Sequence, residues 1–510
     1  MTVKLSFPAR IRRIALIAPL AAMLVLSACA GGGGQAGGAG GADSSFVLGQ
    51  SAPINNLIPH PFTQSTMTWE RALFDTLVTY DGGTITPSLA AHWNVDPAST
   101  RYQITLRDGV TFHDGKKLDA QTVADVLKWA TDAKNNVSGG AVIGSGKVSV
   151  DSPTSLTVTF PTATPQFLYL LAVVPIVDLT SDINAHPNGT GPFKVDSFVA
   201  NVSLKMARND NYWNKNAMPK AKSFEVKVFS DNAAAQAALT SGQVQALAFP
   251  PYNQLSALEK AGDKIVTDKA PGNFMLRINT TSGPMADIRV RQALSLAIDR
   301  ATFAKVGTAG RGTPTCSVYP PGSAVYQATF EANCNYDLQG AKALLAQAGY
   351  PNLSLTVDTS TVRQPELASY LPILQEQLKT IGVTLTINDI SANLMSDRVL
   401  SGAYQVATDW YPWSNADPAL LFISGSWAPG TRNLEKFTDP AYAPQVSAAQ
   451  AEADPAKRMQ LYRQLNEYLM DQSIVIPIAT RPYVYVTGPK ATGFAMDPLG
   501  MISPTALSAS

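Results

Sequence analysis

Between residues 30 and 42 this chain contains only Gly, Ala and Gln. No side chain there can build a core, so folding has to begin beyond it, near Ser45. The residues before it are no better suited to a soluble core. Lys4, Arg10, Arg12 and Arg13 lead into an apolar stretch from Ile14 to Leu26. A basic start, a short apolar stretch and a small-residue cut site mark a secretory signal. Spanning a bilayer takes about 20 apolar residues, more than this stretch offers, so a permanent transmembrane helix is not expected.

The signal ends on Leu26-Ser27-Ala28-Cys29, which resembles a bacterial lipobox. Such a site is cut before the Cys, whose thiol and new amino terminus take acyl chains. Two or more chains give stable anchoring where one gives only marginal binding. The expectation is a signal over 1–28, lipidation at Cys29 and a tether over 29–45. The folded body would then sit at the cell membrane, on its extracytoplasmic face.

Removing residues 1–28 from the 510 leaves enough chain for about three domain-sized units. The whole chain carries a net charge of +1, and 15% of its residues are charged. No basic patch of the kind that binds nucleic acid stands out, and no nucleic-acid partner is expected. Besides Cys29 there are two cysteines, Cys316 and Cys334, close together in an exported chain. A disulfide is their expected use, with free thiols or a metal site as the alternatives. A metal would need further ligands, and no His lies near either Cys, so no metal or cofactor is expected.

From Ser45 onward strand and helix signals alternate, which predicts an α/β protein of several subdomains. Residues 102–106 and 156–160 read as strands, and Asp119 as the N-cap of a helix carrying Val123, Val126 and Leu127. Residues 273–279 alternate, with Phe274, Leu276 and Ile278 on one face. Asp287 then caps a helix with Val290, Ala293 and Leu294 on one stripe. Asp454-Pro455 opens a long amphipathic helix, with Pro at the first helical position. Strands over 474–478 and 483–486 close the chain.

Catalytic motifs are absent. There is no G-x-S-x-G elbow and no H-E-x-x-H. His60, His92, His113 and His186 are scattered and read as surface or turn residues. Aromatic residues are the better lead. Residues 409–427 hold Trp410, Tyr411, Trp413, Phe422 and Trp427 among Pro, Ser and Asn. Rings on loops with a few polar groups suit a ligand pocket, and they equally suit the burial of a loop.

Five stretches, in order and spacing, resemble the family 5 extracellular solute-binding proteins, the dipeptide, oligopeptide and nickel receptors of ABC importers. They are ITLRDGVTFHDGKKLDAQTVADVLKW (104–129), 189–213 with GTGPFKV and ARNDNYW, LRINTTSGPMADIRVRQALSLAIDR within 273–300, AKALLAQAGYP (341–351) and the aromatic segment 410–421. The resemblance implies a two-lobed periplasmic-binding-protein (Venus-flytrap) fold with an extra third subdomain. Lobe I would take 46–72, 187–269 and 478–510. The extra subdomain would be 73–186 and lobe II 270–477. Hinge strands would run near 269–273 and 474–480. Such a protein is expected to act as a monomer, closing on a small solute and delivering it to ABC permease and ATPase subunits. Most of the shared motif residues have a structural reading. Arg289, Arg291 and Asp299-Arg300 would form surface or interlobe pairs, and Thr190 alone among them could touch the solute.

In peptide-binding relatives an Asp of the aromatic segment pairs with the peptide's amino terminus. Counting back from Pro418, its position here is Ser414. A buried ammonium without a paired charge costs several kcal/mol. Peptide-like solutes remain the first reading. Oligosaccharides or other small organic solutes come second, since Trp410, Trp413, Trp427 and Asn415 would suit a sugar. A lipid-anchored hydrolase and a non-transporting sensor come after these. The expected pocket is Trp410, Trp413, Ser414, Asn415 and Trp427, with Phe249 and Tyr252 from the first lobe and Asn273 at the crossing.

Overall fold

The computed structural model describes residues 45–509, apart from 60–64, 82–83, 136, 138, 269–271, 320, 322, 332–333, 362–363, 365, 412–416, 424–426 and 430–432. Cys29 and its tether lie outside the described residues, as do Trp413, Ser414 and Asn415.

Two large sheets organise the fold. The first has seven strands in the order Phe193–Val199, Ser203–Arg208, Ser223–Val228, Ser45–Gln50, Ala246–Ala248, Val484–Thr487, Lys264–Thr267. The first strand of the chain lies in its middle, parallel to both neighbours. That placement demands apolar side chains, and Phe46 and Leu48 are fully buried. The second sheet has five strands, in the order Val383–Asp389, Leu353–Thr359, Val406–Tyr411, Gly272–Ile278, Val475–Arg481. A four-stranded antiparallel sheet, Ala90–Val95, Arg101–Leu106, Ser155–Thr159 and Lys147–Ser152, is inserted in sequence between strands Ser45–Gln50 and Phe193–Val199 of the first sheet. Helix Ala120–Ala130 follows within it, its start capped by Asp119, which accepts from Thr122 N at 2.8 Å.

Strand Gly272–Ile278 is the central beam of the second sheet, and all seven of its residues are buried. Phe274, Leu276 and Ile278 pack against helices Ile288–Leu296 and Leu367–Lys379. Met275 points the other way, toward Trp427 and helix Pro455–Asp471. Asn273 and Arg277 share the face of Met275, because side chains alternate along a strand. The two other helix starts read from the sequence, like that at Asp119, carry their caps. Asp287 accepts from Arg289 N at 2.9 Å and Asp454 from Lys457 N at 2.9 Å. Each such cap is worth about 1 kcal/mol.

The chain passes from the first sheet to the second between Thr267 and Gly272, and returns between Arg481 and Val484. The return lies beyond the 474–480 segment that the sequence suggested as hinge. Residues 475–481 stay in the second sheet throughout, paired with the central beam from Arg277↔Val475 to Gly272↔Arg481. Cys316 and Cys334 are bonded, with Cα atoms 5.9 Å apart. Their loop lies along the last strand of that sheet, through Thr315 N to Ile478 O (3.2 Å) and Thr480 N to Thr313 O (2.8 Å).

Three expectations are corrected by packing. Arg291 and Arg300 are buried and donate to backbone carbonyls of Met285, Ala286 and Gln472, and of Pro477 and Ser295. Carbonyls left open at element ends need donors, and these two side chains supply them. Arg289 does pair on the surface, with Asp287. Thr190 is buried and donates to Asp75 Oδ2 at 2.9 Å, so it has no free hydroxyl for a solute. His113 is only partly exposed. Its Nδ1 accepts from Gly189 N (3.3 Å) and its Nε2 lies 3.2 Å from Gly191 O, which clasps the four-stranded subdomain to the Gly189-Thr190-Gly191 segment. Those glycines serve close approach. A Cβ on Gly189 would stand 2.0 Å from Leu73 O and one on Gly191 2.5 Å from Ala72 O.

Candidate functional site

The described chemistry concentrates where the two sheets are joined. Strand Ala246–Ala248 of the first sheet ends on Phe249, whose φ is 54°. A bulky residue in the left-handed region costs about 1–3 kcal/mol and persists only where surroundings hold it. Here Phe249 N donates to Val484 O at 2.8 Å. Its ring lies edge-on to Tyr483 at 5.7 Å and tilted against Tyr485 at 4.9 Å. Pro250 and Pro251 then turn the chain, and Tyr252 donates from its hydroxyl to Pro482 O at 2.5 Å. The return crossing is thus held by two residues of one turn.

Asp268 stands on the outward crossing and bonds the return crossing. Its N donates to Tyr483 O (3.2 Å), and its Oδ1 accepts from Tyr483 N (2.8 Å). Burial pushes this carboxyl up to about 7, against the pull of the Tyr483 N–H and of Arg481. Its Oδ2 is enclosed and has no donor among the described residues.

Arg481 ends the last strand of the second sheet and is 8% exposed. Its guanidinium lies 4.5 Å over the Trp410 ring, 5.6 Å from Phe274 and 5.7 Å from Tyr483. Contacts of this kind are worth up to about 2 kcal/mol where water is excluded. Nε donates to Glu366 Oε1 at 3.4 Å. Burial pulls the pKa of this group down; Glu366, Tyr252 and Tyr483 together outweigh it, and the net direction is up.

A second buried arginine lies deeper in the same sheet. Arg277 donates through Nε to Asp409 Oδ2 at 3.1 Å, through Nη2 to the same oxygen, and through Nη1 to Glu435. Burial pushes Glu435 up to about 7 even so.

Of the pocket residues expected from sequence, the structure brings Phe249, Tyr252 and Trp410 to the joint. Trp410 is half-buried, opposite Phe274 in the strand register. Trp427 and Asn273 are packed away from the joint. Trp427 is 1% exposed, stacked on Tyr411 at 5.3 Å and packed in the core with Phe422 and Tyr462. Asn273 is fully buried, and its Nδ2 donates to Ser317 O (3.1 Å) and Val318 O (2.8 Å) of the disulfide loop. Neither leaves surface for a solute to touch. The sequence reading missed Asp268, Glu366 and Arg481. For Arg481 a signal existed: it is the one charge in the apolar run from Ile474 to Thr487.

The family described as bacterial extracellular solute-binding proteins, family 5, middle region, matches residues 84–431. The glutathione-binding protein GsiB of Shigella flexneri serotype 5b (strain 8401) is 29% identical over 433 residues, covering 80% of this chain and 83% of GsiB. Among solved structures, DppA from Helicobacter pylori in complex with peptide STSA superposes with a TM-score of 0.79. The identity is 21%, over 91% of this chain and 98% of that one. The PBP AgaA from A.tumefacien R10, in complex with agropinic acid, gives 0.78 at 22% identity, over 91% and 98%. These two establish the shared fold.

Proposed function

The chain belongs to family 5 of the bacterial extracellular solute-binding proteins, and on that premise we propose that it captures a peptide-like solute and hands it to an ABC import permease. The observation that carries the reading is the joint itself. The two sheets are joined at two crossings, one carrying Asp268 and the other Pro482 and Tyr483, and the described residues gathered there are aromatic rings and buried charges. Rings supply contact area and a few polar atoms fix orientation, which suits a small amphipathic solute. A sugar would need open ring faces. Trp427 is in the core, and Arg481 covers a face of Trp410, so the described residues favour a peptide.

The anchor at Cys29 belongs to the same proposal. Lipid would keep the protein beside its permease, and a 13-residue tether of Gly, Ala and Gln over 30–42 would raise their effective concentration while leaving the body free to turn. No described helix is long and apolar enough to cross a membrane.

The test is a thermal-shift screen of glutathione and di- to pentapeptides against neutral oligosaccharides. Bound solute raises the melting temperature by mass action. A shift with peptides alone supports the reading. No shift with any peptide at millimolar concentration refutes it.

A further inference from the structure

Two buried arginines sit on neighbouring strands of the second sheet, and only one of them is filled. Arg277 engages Asp409 through Nε and Nη2 and Glu435 through Nη1. Arg481 engages one carboxylate, Glu366, through Nε alone and at 3.4 Å. Its Nη1 and Nη2 make no hydrogen bond among the described residues, although the residue is nine-tenths buried. A guanidinium presents five N–H donors in a rigid planar fork. The plane of the fork is held, because Trp410 lies beneath it at 4.5 Å and Phe274 and Tyr483 flank it.

We propose that the open Nη1–Nη2 edge of Arg481 seats a carboxylate of the bound solute, which makes Arg481 a specificity-determining residue. The inference rests on the solute-binding reading above and adds the chemical class: an acid whose carboxylate adjoins an apolar or aromatic group. End-on pairing of a carboxylate with both terminal nitrogens is the strongest geometry a guanidinium offers. Glu366 does not occupy that edge, since it approaches from the Nε side. Charge balance does not forbid a second carboxylate. Arg277 already carries two in this protein, at full burial. Lys would not serve equally, for it brings one point charge and no plane to lie on Trp410.

The experiment uses the full-length protein and four probes: the dipeptide Met-Leu, its C-terminal amide, an oligogalacturonate and the neutral maltotriose. Calorimetry should give at least tenfold tighter binding of Met-Leu than of its amide. Arg481→Gln should abolish that preference, and Arg481→Lys should recover only part of it. Phenylglyoxal, read by mass spectrometry, should modify Arg481 in the free protein, spare Arg277, and be blocked by the bound acid. That readout carries the test if Arg481→Gln does not fold. Equal affinity for acid and amide, or a preference that survives Arg481→Gln, overturns the proposal while leaving solute binding intact. Binding of the oligogalacturonate but of neither Met-Leu form, with the same dependence on Arg481, upholds the carboxylate seat and overturns both its apolar neighbour and the peptide reading. Failure of every carboxylate to bind overturns it whatever phenylglyoxal reports.

Discussion

Asp268 and Tyr483 bond each other twice across the joint, Asp268 N to Tyr483 O at 3.2 Å and Tyr483 N to Asp268 Oδ1 at 2.8 Å. They lie 215 residues apart in sequence. One stands on the outward crossing and the other on the return, so this pair fixes how the two connecting segments run side by side.

Asp268→Asn keeps an acceptor for Tyr483 N and removes a carboxyl whose pKa burial has raised to about 7. In the unfolded chain that group ionises near 4. Between those values the folded state holds the extra proton, so its contribution to stability falls as pH rises from about 4 to 7. The variant should therefore gain on the wild type with rising pH, by up to about 4 kcal/mol at pH 8, in urea titrations across that range. Asp268→Ala should lose at least 1 kcal/mol at pH 5, from the unmet Tyr483 N–H.

His113 works in the opposite sense. Burial holds its pKa down at about 4, with the Gly191 carbonyl opposing that shift. The unfolded chain binds the proton near 6.5, so stability is complete above that value and is lost as pH falls from about 6.5 to 4. The loss should approach 3 kcal/mol and should be absent in His113→Gln. Melting curves of both proteins at pH 4, 5.5 and 7.5 check this; parallel curves would remove His113 as the cause.

Trp427→Ala should cost about 3–5 kcal/mol through the cavity it leaves. The protein that remains folded should bind solute within twofold of wild type, because the indole is enclosed by Tyr411 and Phe422. Trp410→Ala should do the reverse, weakening binding by tenfold or more and shifting stability by less than Trp427→Ala. Affinity and unfolding midpoints measured on both variants decide. Lost affinity with unchanged stability in Trp427→Ala would put that ring back in the pocket.

Phe249→Gly and Phe249→Ala both delete the ring that meets Tyr483 and Tyr485. Glycine accepts a φ of 54° at no steric cost, and alanine does not. The glycine variant should be the more stable of the two by about 1 kcal/mol in denaturant unfolding. The usual order, alanine above glycine, would show that the turn relaxes out of the left-handed region.

Much of the local structure was legible before the fold was known. Asp119, Asp287 and Asp454 start helices because a side-chain oxygen meets an N–H only two or three residues on. Phe274, Leu276 and Ile278 share a face because the strand repeat is two. The site was less legible. Trp427 and Trp410 look alike in one aromatic stretch, yet one is closed in by Tyr462 and the other is covered by Arg481. Arg291, Arg300 and His113 read as surface residues because the carbonyls and N–H groups they meet belong to other segments.

By itself the sequence determined the α/β class and the family, each of which rests on neighbouring residues or on motif spacing. The tertiary structure decided which charges meet at the joint. Asp268 reaches Tyr483, Glu366 reaches Arg481, and Arg277 reaches Asp409 and Glu435, each pair over a hundred residues apart. Burial and unfilled donors are properties of such assembled surroundings, and no local pattern encodes them.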